Sequence, residues 1–170
     1  MVNESQNAKG EYALYENGKL IGYSPVTFIG MVKVVNKYLP NVNALINAAK
    51  KDGVSLVLDS GFRTWEEQYN IRVRNVIDKS KVNDRNYIMT ANNGLFSPRT
   101  AMPGYSNHQN GDAYDFNVNL PNAYKWLVHN AIQYGWIRTV PTEIWHWQYL
   151  PSMSKFSFVH QDDKTWNGLT

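Results

Sequence analysis

Runs of apolar residues, broken by turn-forming polar ones, divide the chain into short elements. Tyr12–Tyr15 and Leu20–Tyr23 flank Glu16-Asn17-Gly18-Lys19, which predicts a hairpin whose Asn-Gly pair supplies the positive φ of a tight turn. Pro25 and Thr27 open an amphipathic stretch to Leu39, expected to be helical, with Pro40 stopping it. Asn43–Lys51 reads as a second short helix ended by Gly53, and Val54–Leu58 as a buried strand running into Asp59-Ser60-Gly61-Phe62-Arg63. Thr64 with Glu67 makes a capping box, predicting a helix through Gln68, Ile71, Val73 and Val76. Residues 80–107 have little periodicity, and a loop that long is expected to be functional, a rim or a lid. Asp112–Val118 reads as a strand. Pro121 opens a helix whose Ala123, Trp126, Leu127, Ala131 and Tyr134 share one face, with Gly135 as its cap. Trp136-Ile137 and Ile144–Leu150 are the last two predicted strands. Residues 1–10 read as a loose arm and 151–170 as a polar tail. With no repeat and no linker, one α+β domain over residues 1–170 is expected.

Composition narrows the class. The 170 residues are one domain's worth, and 43 % apolar with 18 % charged excludes general disorder. Aromatic residues make up 14 %, enough for a core and a cleft wall. The net charge of +3, with no Lys/Arg cluster, gives no reason to expect a nucleic-acid partner. The longest apolar stretch, Val26–Val32, is interrupted by Thr27 and Gly30 and is too short to insert in a membrane. The N-terminus lacks a basic segment followed by an apolar one, so no standard export signal is visible. Cysteine is absent, which removes disulfides, thiol nucleophiles and cysteine zinc sites. Any metal must sit on His and carboxylate.

Four histidines are available. His129 and His160 read as packed or surface residues. The other two sit in crowded company, in Ser106-Asn107-His108-Gln109-Asn110-Gly111-Asp112-Ala113-Tyr114-Asp115 and in Glu143-Ile144-Trp145-His146-Trp147-Gln148-Tyr149. Catalytic zinc takes three N/O ligands and keeps one position open, a set that His108, Asp115 and His146 can provide, leaving Glu143 as a base. Strand parity constrains this. In a regular strand Glu143 and His146 face opposite sides, so convergence requires an irregular backbone near Thr142-Glu143, and Pro141 favours one. By the same parity only one of Asp112 and Asp115 can face the metal, and the spacing leaves open which.

Taken together, these residues resemble a specific family. Ser-x-His-x2-Gly-x-Ala-x-Asp at 106–115, Glu-x-Trp-His-x2-Tyr at 143–149, and Ser60-Gly61-Phe62-Arg63 ahead of a helix carrying Gln68 are similar to the motifs of the D-alanyl-D-alanine carboxypeptidases and dipeptidases related to VanY and VanX. Phage L-alanyl-D-glutamate peptidases belong to the same group, and the hedgehog signalling domain shares its fold. The resemblance implies a small antiparallel sheet flanked by helices. It further implies one Zn2+ per chain on His108, Asp115 and His146, Glu143 as general base and proton shuttle, and Arg63 on the oxyanion. Ser106 and Gln68 are implied substrate contacts. Phe62 stands where the family usually has Tyr, and Asp112 is an additional acid.

The function expected is a zinc peptidase acting as a monomer on the stem peptides of peptidoglycan, at the cell wall. Within that class a D,D-carboxypeptidase is favoured over an L-alanyl-D-glutamate endopeptidase. A cytosolic dipeptidase like VanX is a further option. A carboxypeptidase needs a cation for the terminal carboxylate, and Arg99 in the long loop is the candidate. The rival from another class is a zinc-binding module without catalysis, which an intact Glu143 argues against.

Overall fold

The computed structural model describes residues 5–76, 78–85 and 100–156. Strands β1 (Tyr12–Glu16) and β2 (Lys19–Ser24) form the expected hairpin. Asn17 and Gly18 take φ of 50° and 80°, the paired positive values of a two-residue turn that matches strand twist. Residues 5–10, expected as a loose arm, fold back on β1: the Ala13 N–H donates to the Ser5 carbonyl, and Gln6 bridges to Tyr12.

The stretch from Pro25 to Leu39 is not helical. It forms a second antiparallel hairpin, β3 (Val26–Ile29) and β4 (Val32–Val35), turning at Gly30-Met31. Its β-branched residues suit a pleated surface, and Val34 and Val35 are fully buried. Pro40 opens a helix instead of ending one. It lies in the first turn of α1 (Leu39–Lys51), where no intrahelical partner is needed for its missing N–H.

Residues 54–58 alternate, with Val54, Leu56 and Leu58 buried and Val57 exposed, and only β5 (Leu58–Ser60) joins a ladder. Helix α2 (Trp65–Asn75) starts with the predicted capping box: the Glu67 N–H donates to Thr64 Oγ1 and the Thr64 N–H to Glu67 Oε2. Strand β6 (Ala113–Phe116), helix α3 (Ala123–Asn130), and strands β7 (Trp136–Ile137) and β8 (His146–Tyr149) follow. Tyr134, expected on the apolar face of α3, lies in the 3-10 turn that follows and is partly exposed, its ring stacked on Trp126.

The four-stranded antiparallel sheet has the order β5-β6-β8-β7. Its alternation sorts two kinds of residue. Tyr114, Phe116, Trp147 and Trp136 share a core with Val42, Leu45 and Ala49 of α1 and with Trp126 and Leu127 of α3. Asp115 and His146, of opposite parity to these, stand opposite each other in the β6–β8 register. Among the described residues no helix is long and apolar enough to cross a membrane.

Candidate metal centre and active site

Each of the predicted residues arrives from a different local structure. His108 lies in a 3-10 turn, Asn107–Gln109, capped by Ser106, whose Oγ accepts from the His108 N–H. Asp115 is in β6, and His146 opens β8. Glu143 sits just before β8, in a turn closed by the His146 N–H on the Glu143 carbonyl. That turn supplies the irregularity that parity demanded, and it brings Glu143 Oε2 to 3.9 Å from His146 Nδ1.

Asp115 is the hub. Its Oδ1 lies 3.0 Å from His146 Nδ1 and 3.3 Å from His108 Nε2, and its Oδ2 accepts from Arg63 Nη2 at 3.2 Å. One ligand atom from each of His108, Asp115 and His146 lies within 4.8 Å of the other two. Asp112 turns away from this group. Both its oxygens accept from Gln148 Nε2, at 2.9 and 3.0 Å, and burial raises its pKa to about 6 against that bond.

Protons test whether the cluster fits a metal. His108 Nδ1 is 2.8 Å from the Gly61 carbonyl, which can only accept, so Nδ1 carries the hydrogen. Burial lowers the His108 pKa and favours the neutral ring. Its Nε2 lone pair then faces a carboxylate oxygen at 3.3 Å, acceptor against acceptor, which a cation between them resolves. Asp115 remains an anion: burial would push its pKa up, but the hydrogen bond from His146 Nδ1 acts the other way, and its pKa lies below the usual carboxylate range. Two nitrogens and one oxygen suit zinc, and tetrahedral bonds of roughly 2.0–2.1 Å set ligands about 3.3 Å apart, near the separations around Oδ1. The donor set fits.

Arg63 is held on three sides. Nε donates to Ser60 Oγ at 3.2 Å, Nη1 to Gln68 Oε1 at 3.1 Å, and Nη2 to Asp115. Burial works against its charge, and Asp115, Glu143 and Glu67 work for it. Gln68 is buried, with its other amide end donating to the Ala101 carbonyl at 2.8 Å, so it holds the guanidinium and the cleft wall together. Gly61, within the Ser60–Arg63 motif, has no room for a side chain: a Cβ there would come within 2.5 Å of the Lys33 carbonyl oxygen.

These residues line a cleft of about 750 Å3 with Ser106, Tyr105 and Trp145 among its walls. Glu143 is only partly exposed in it, and burial raises its pKa; His146 and Arg63 oppose that rise, while Asp115 adds to it. The structure also brings in groups that motif reading passed over. The Gly61 carbonyl orients His108, and Gln148 links Asn107 to Asp112 behind the cleft. Nothing in the local sequence marks Gln148; its signal is its shared strand parity with His146. His129 is exposed on α3, while Arg99 and His160 lie outside the described residues.

The helix-flanked antiparallel sheet thus brings together a His/Asp/His cluster that could hold a metal ion, with a carboxylate and a tethered arginine beside it. The chain belongs to the VanY family, described as D-alanyl-D-alanine carboxypeptidase, which it matches over residues 32–152. It is 31 % identical over 137 residues to a D-alanyl-D-alanine carboxypeptidase of Enterococcus faecalis, covering 72 % of this chain and 50 % of that protein. The chain therefore spans half the length of that relative. Among solved structures, a mutant of the vancomycin-resistance D,D-pentapeptidase VanY in complex with Zn(II) aligns with a TM-score of 0.62 at 24 % identity, over 88 % of this chain and 93 % of that one. VanYB in complex with D-alanine-D-alanine aligns with a TM-score of 0.61 at 22 % identity, over 92 % and 97 %. At those identities the likeness is one of fold, and it agrees with the α+β architecture expected from sequence.

Proposed function

We propose that this chain is a zinc-dependent peptidase that removes the terminal D-alanine from peptidoglycan stem peptides. The observation that carries the reading is the convergence of His108 Nε2 and His146 Nδ1 on one oxygen of Asp115, with Arg63 on the other and Glu143 alongside. His108, Asp115 and His146 would hold one zinc ion per chain; bound there, zinc supplies a Lewis acid that polarises the scissile carbonyl and acidifies water. The remaining chemistry belongs to side chains.

Glu143 takes a proton from the attacking water and delivers it to the leaving amine. Its raised pKa suits both halves of that task, since a carboxyl nearer neutrality accepts and releases a proton more evenly. Arg63 has five N–H groups, and its three hydrogen bonds leave one on each terminal nitrogen. Those two are the groups assigned to meet the oxygen that becomes negative as the carbonyl is attacked. Ser106 contacts the substrate from the cleft wall, and Gln68 contributes through the guanidinium it holds. Arg63 is the one cation among the described residues lining the cleft, so the reader of the terminal carboxylate is assigned to Arg99, outside those residues. Residues 1–170 act as one domain and as a monomer, on the cell-wall side where the substrate lies.

A pentapeptide ending in D-alanyl-D-alanine and its all-L counterpart test the reading. Release of D-alanine from the first, refusal of the second, and loss of activity on chelation with recovery on adding zinc are the expected results. Equal turnover of both peptides, or full activity after metal removal, would overturn it. A cut between L-alanine and D-glutamate would make the protein an endopeptidase.

A further inference from the structure

Tyr105 stands in the wall of the cleft that His108 and Glu143 also line, one residue before Ser106. Two distant parts of the chain hold its ring. The Arg85 guanidinium lies over one face, 4.5 Å from the ring centroid. The turn of the β1–β2 hairpin abuts the hydroxyl end: a Cβ at Gly18 would lie 2.6 Å from Tyr105 Oη and 2.7 Å from Cζ. That turn is itself fastened to the neighbouring residue. The Gly18 N–H donates to the Gly104 carbonyl at 2.8 Å, and a Cβ on Gly104 would come within 2.9 Å of Gly18 Cα. Both glycines have positive φ, 80° and 86°, so neither position accepts a side chain without strain. The hairpin precedes residues 32–152, so this support comes from outside the part of the chain that matches the family.

We propose that Tyr105 is a specificity-determining residue of the cleft, and that Gly18 and Arg85 are positioning residues that hold its ring as a fixed wall. The inference rests on the peptidase reading for its substrate, a peptide with small D-alanyl side chains. A ring already immobilised loses little entropy when a ligand packs against it. It also has little freedom to swing aside for a larger side chain, because the Gly18 backbone abuts its hydroxyl end and Arg85 covers one face. Contact with a methyl group is kept, and bulkier residues are refused.

The experiment compares Gly18→Ala, Arg85→Ala, Tyr105→Phe and Tyr105→Ala in the full zinc-loaded chain. Each is assayed with a peptide ending in D-alanine and one ending in D-leucine, and zinc content is measured on the same samples. Gly18→Ala and Tyr105→Ala should raise KM several-fold with kcat within twofold, leave zinc unchanged, and reduce discrimination against D-leucine by about tenfold. Tyr105→Phe keeps the ring and should keep the discrimination. Arg85→Ala, which leaves the hairpin untouched, should show the same effect in weaker form and serves if Gly18→Ala fails to fold. Unchanged KM and discrimination in Tyr105→Ala would overturn the proposal, as would equal losses of zinc and kcat in Gly18→Ala. If the wild-type chain cleaves neither peptide, the peptidase reading fails separately. The clamp is then read from the Tyr105 ring resonance of 13C-tyrosine-labelled protein, assigned by its absence in Tyr105→Phe. A resonance that Gly18→Ala and Arg85→Ala leave in place overturns the clamp, and one that shifts supports it.

Discussion

On one face of the four-stranded sheet, Tyr114, Phe116 and Trp147 pack with Trp136 and with the apolar sides of α1 and α3. On the other, Asp115 and His146 meet His108 and Arg63 through contacts of 3.0–3.3 Å. The first face is held by burial, which has no direction and tolerates exchange among side chains of similar volume. Ring contacts there, such as Tyr114 on Trp136 at 5.7 Å, add modestly to that burial. The second face is held by donors matched to acceptors, where removing one group orphans another. The helices repeat the contrast: α1 buries Val42, Leu45 and Ala49, whereas α2 buries Gln68 and Arg72. The Arg72 guanidinium donates to the carbonyls of Val82, Asp84 and Thr100, so even the packing beside the site is made of directed bonds. Function is thus expected to be sensitive on one side of the sheet and stability on the other.

The largest effect should come from Glu143→Ala. It removes the proposed proton carrier but none of the three groups proposed to hold zinc, so zinc content and fold should persist while kcat falls by about 10³–10⁴-fold. Paired zinc and kcat measurements on one preparation check this, and loss of zinc would move Glu143 into the ligand set. Arg63→Ala should follow at about a hundredfold in kcat. Arg63→Lys should recover little, because a point charge cannot reproduce a fork that serves Ser60, Gln68 and Asp115 together. A mutant with lower stability but intact kcat would mean that Arg63 is only structural.

The opposite face gives the converse. Leu127 is fully buried in α3, and Leu127→Ala should cost about 3 kcal/mol in urea unfolding, within the usual range for such cavities. Its kcat under folded conditions should stay within twofold; a large fall would show that the two faces are coupled. The smallest effect concerns Asp112, whose pKa burial raises from 3.8 to about 6. The folded state therefore binds this proton more tightly than the unfolded state, and stability should decline as pH rises through that window. The full penalty, on the order of 3 kcal/mol, is reached above the folded value. Metal-free protein should lose about 2 kcal/mol more stability between about pH 4 and 7 than its Asp112→Asn variant, measured by unfolding at several pH values in that range. Parallel slopes would remove Asp112 as their source.

Legibility followed the range of the interaction. The Thr64–Glu67 capping box and the Asn17-Gly18 turn were readable because donor, acceptor and backbone preference lie within a few residues. The His108, Asp115 and His146 set was recognisable as a pattern of residue types, and parity correctly required a break before His146. Residues 25–39 misled because a short β-branched stretch fits both periods, and Pro40 is as acceptable at the start of a helix as after its end. The burial of Gln68 and Arg72 on α2 had no apolar periodicity to reveal it.

What the chain determined by itself was therefore local: caps, turns, the alternation that separates Tyr114 from Asp115, and the kinds of side chain available for chemistry. The tertiary structure decided which of them meet. Asp115 and not Asp112 joins the histidines because the β6–β8 register sets it opposite His146, while Gln148 takes both oxygens of Asp112. Gly18 reaches Tyr105 across 87 residues of sequence because two glycine backbones can approach where no side chain fits. Such contacts depend on register and close approach between segments far apart in the chain, and no local pattern encodes either.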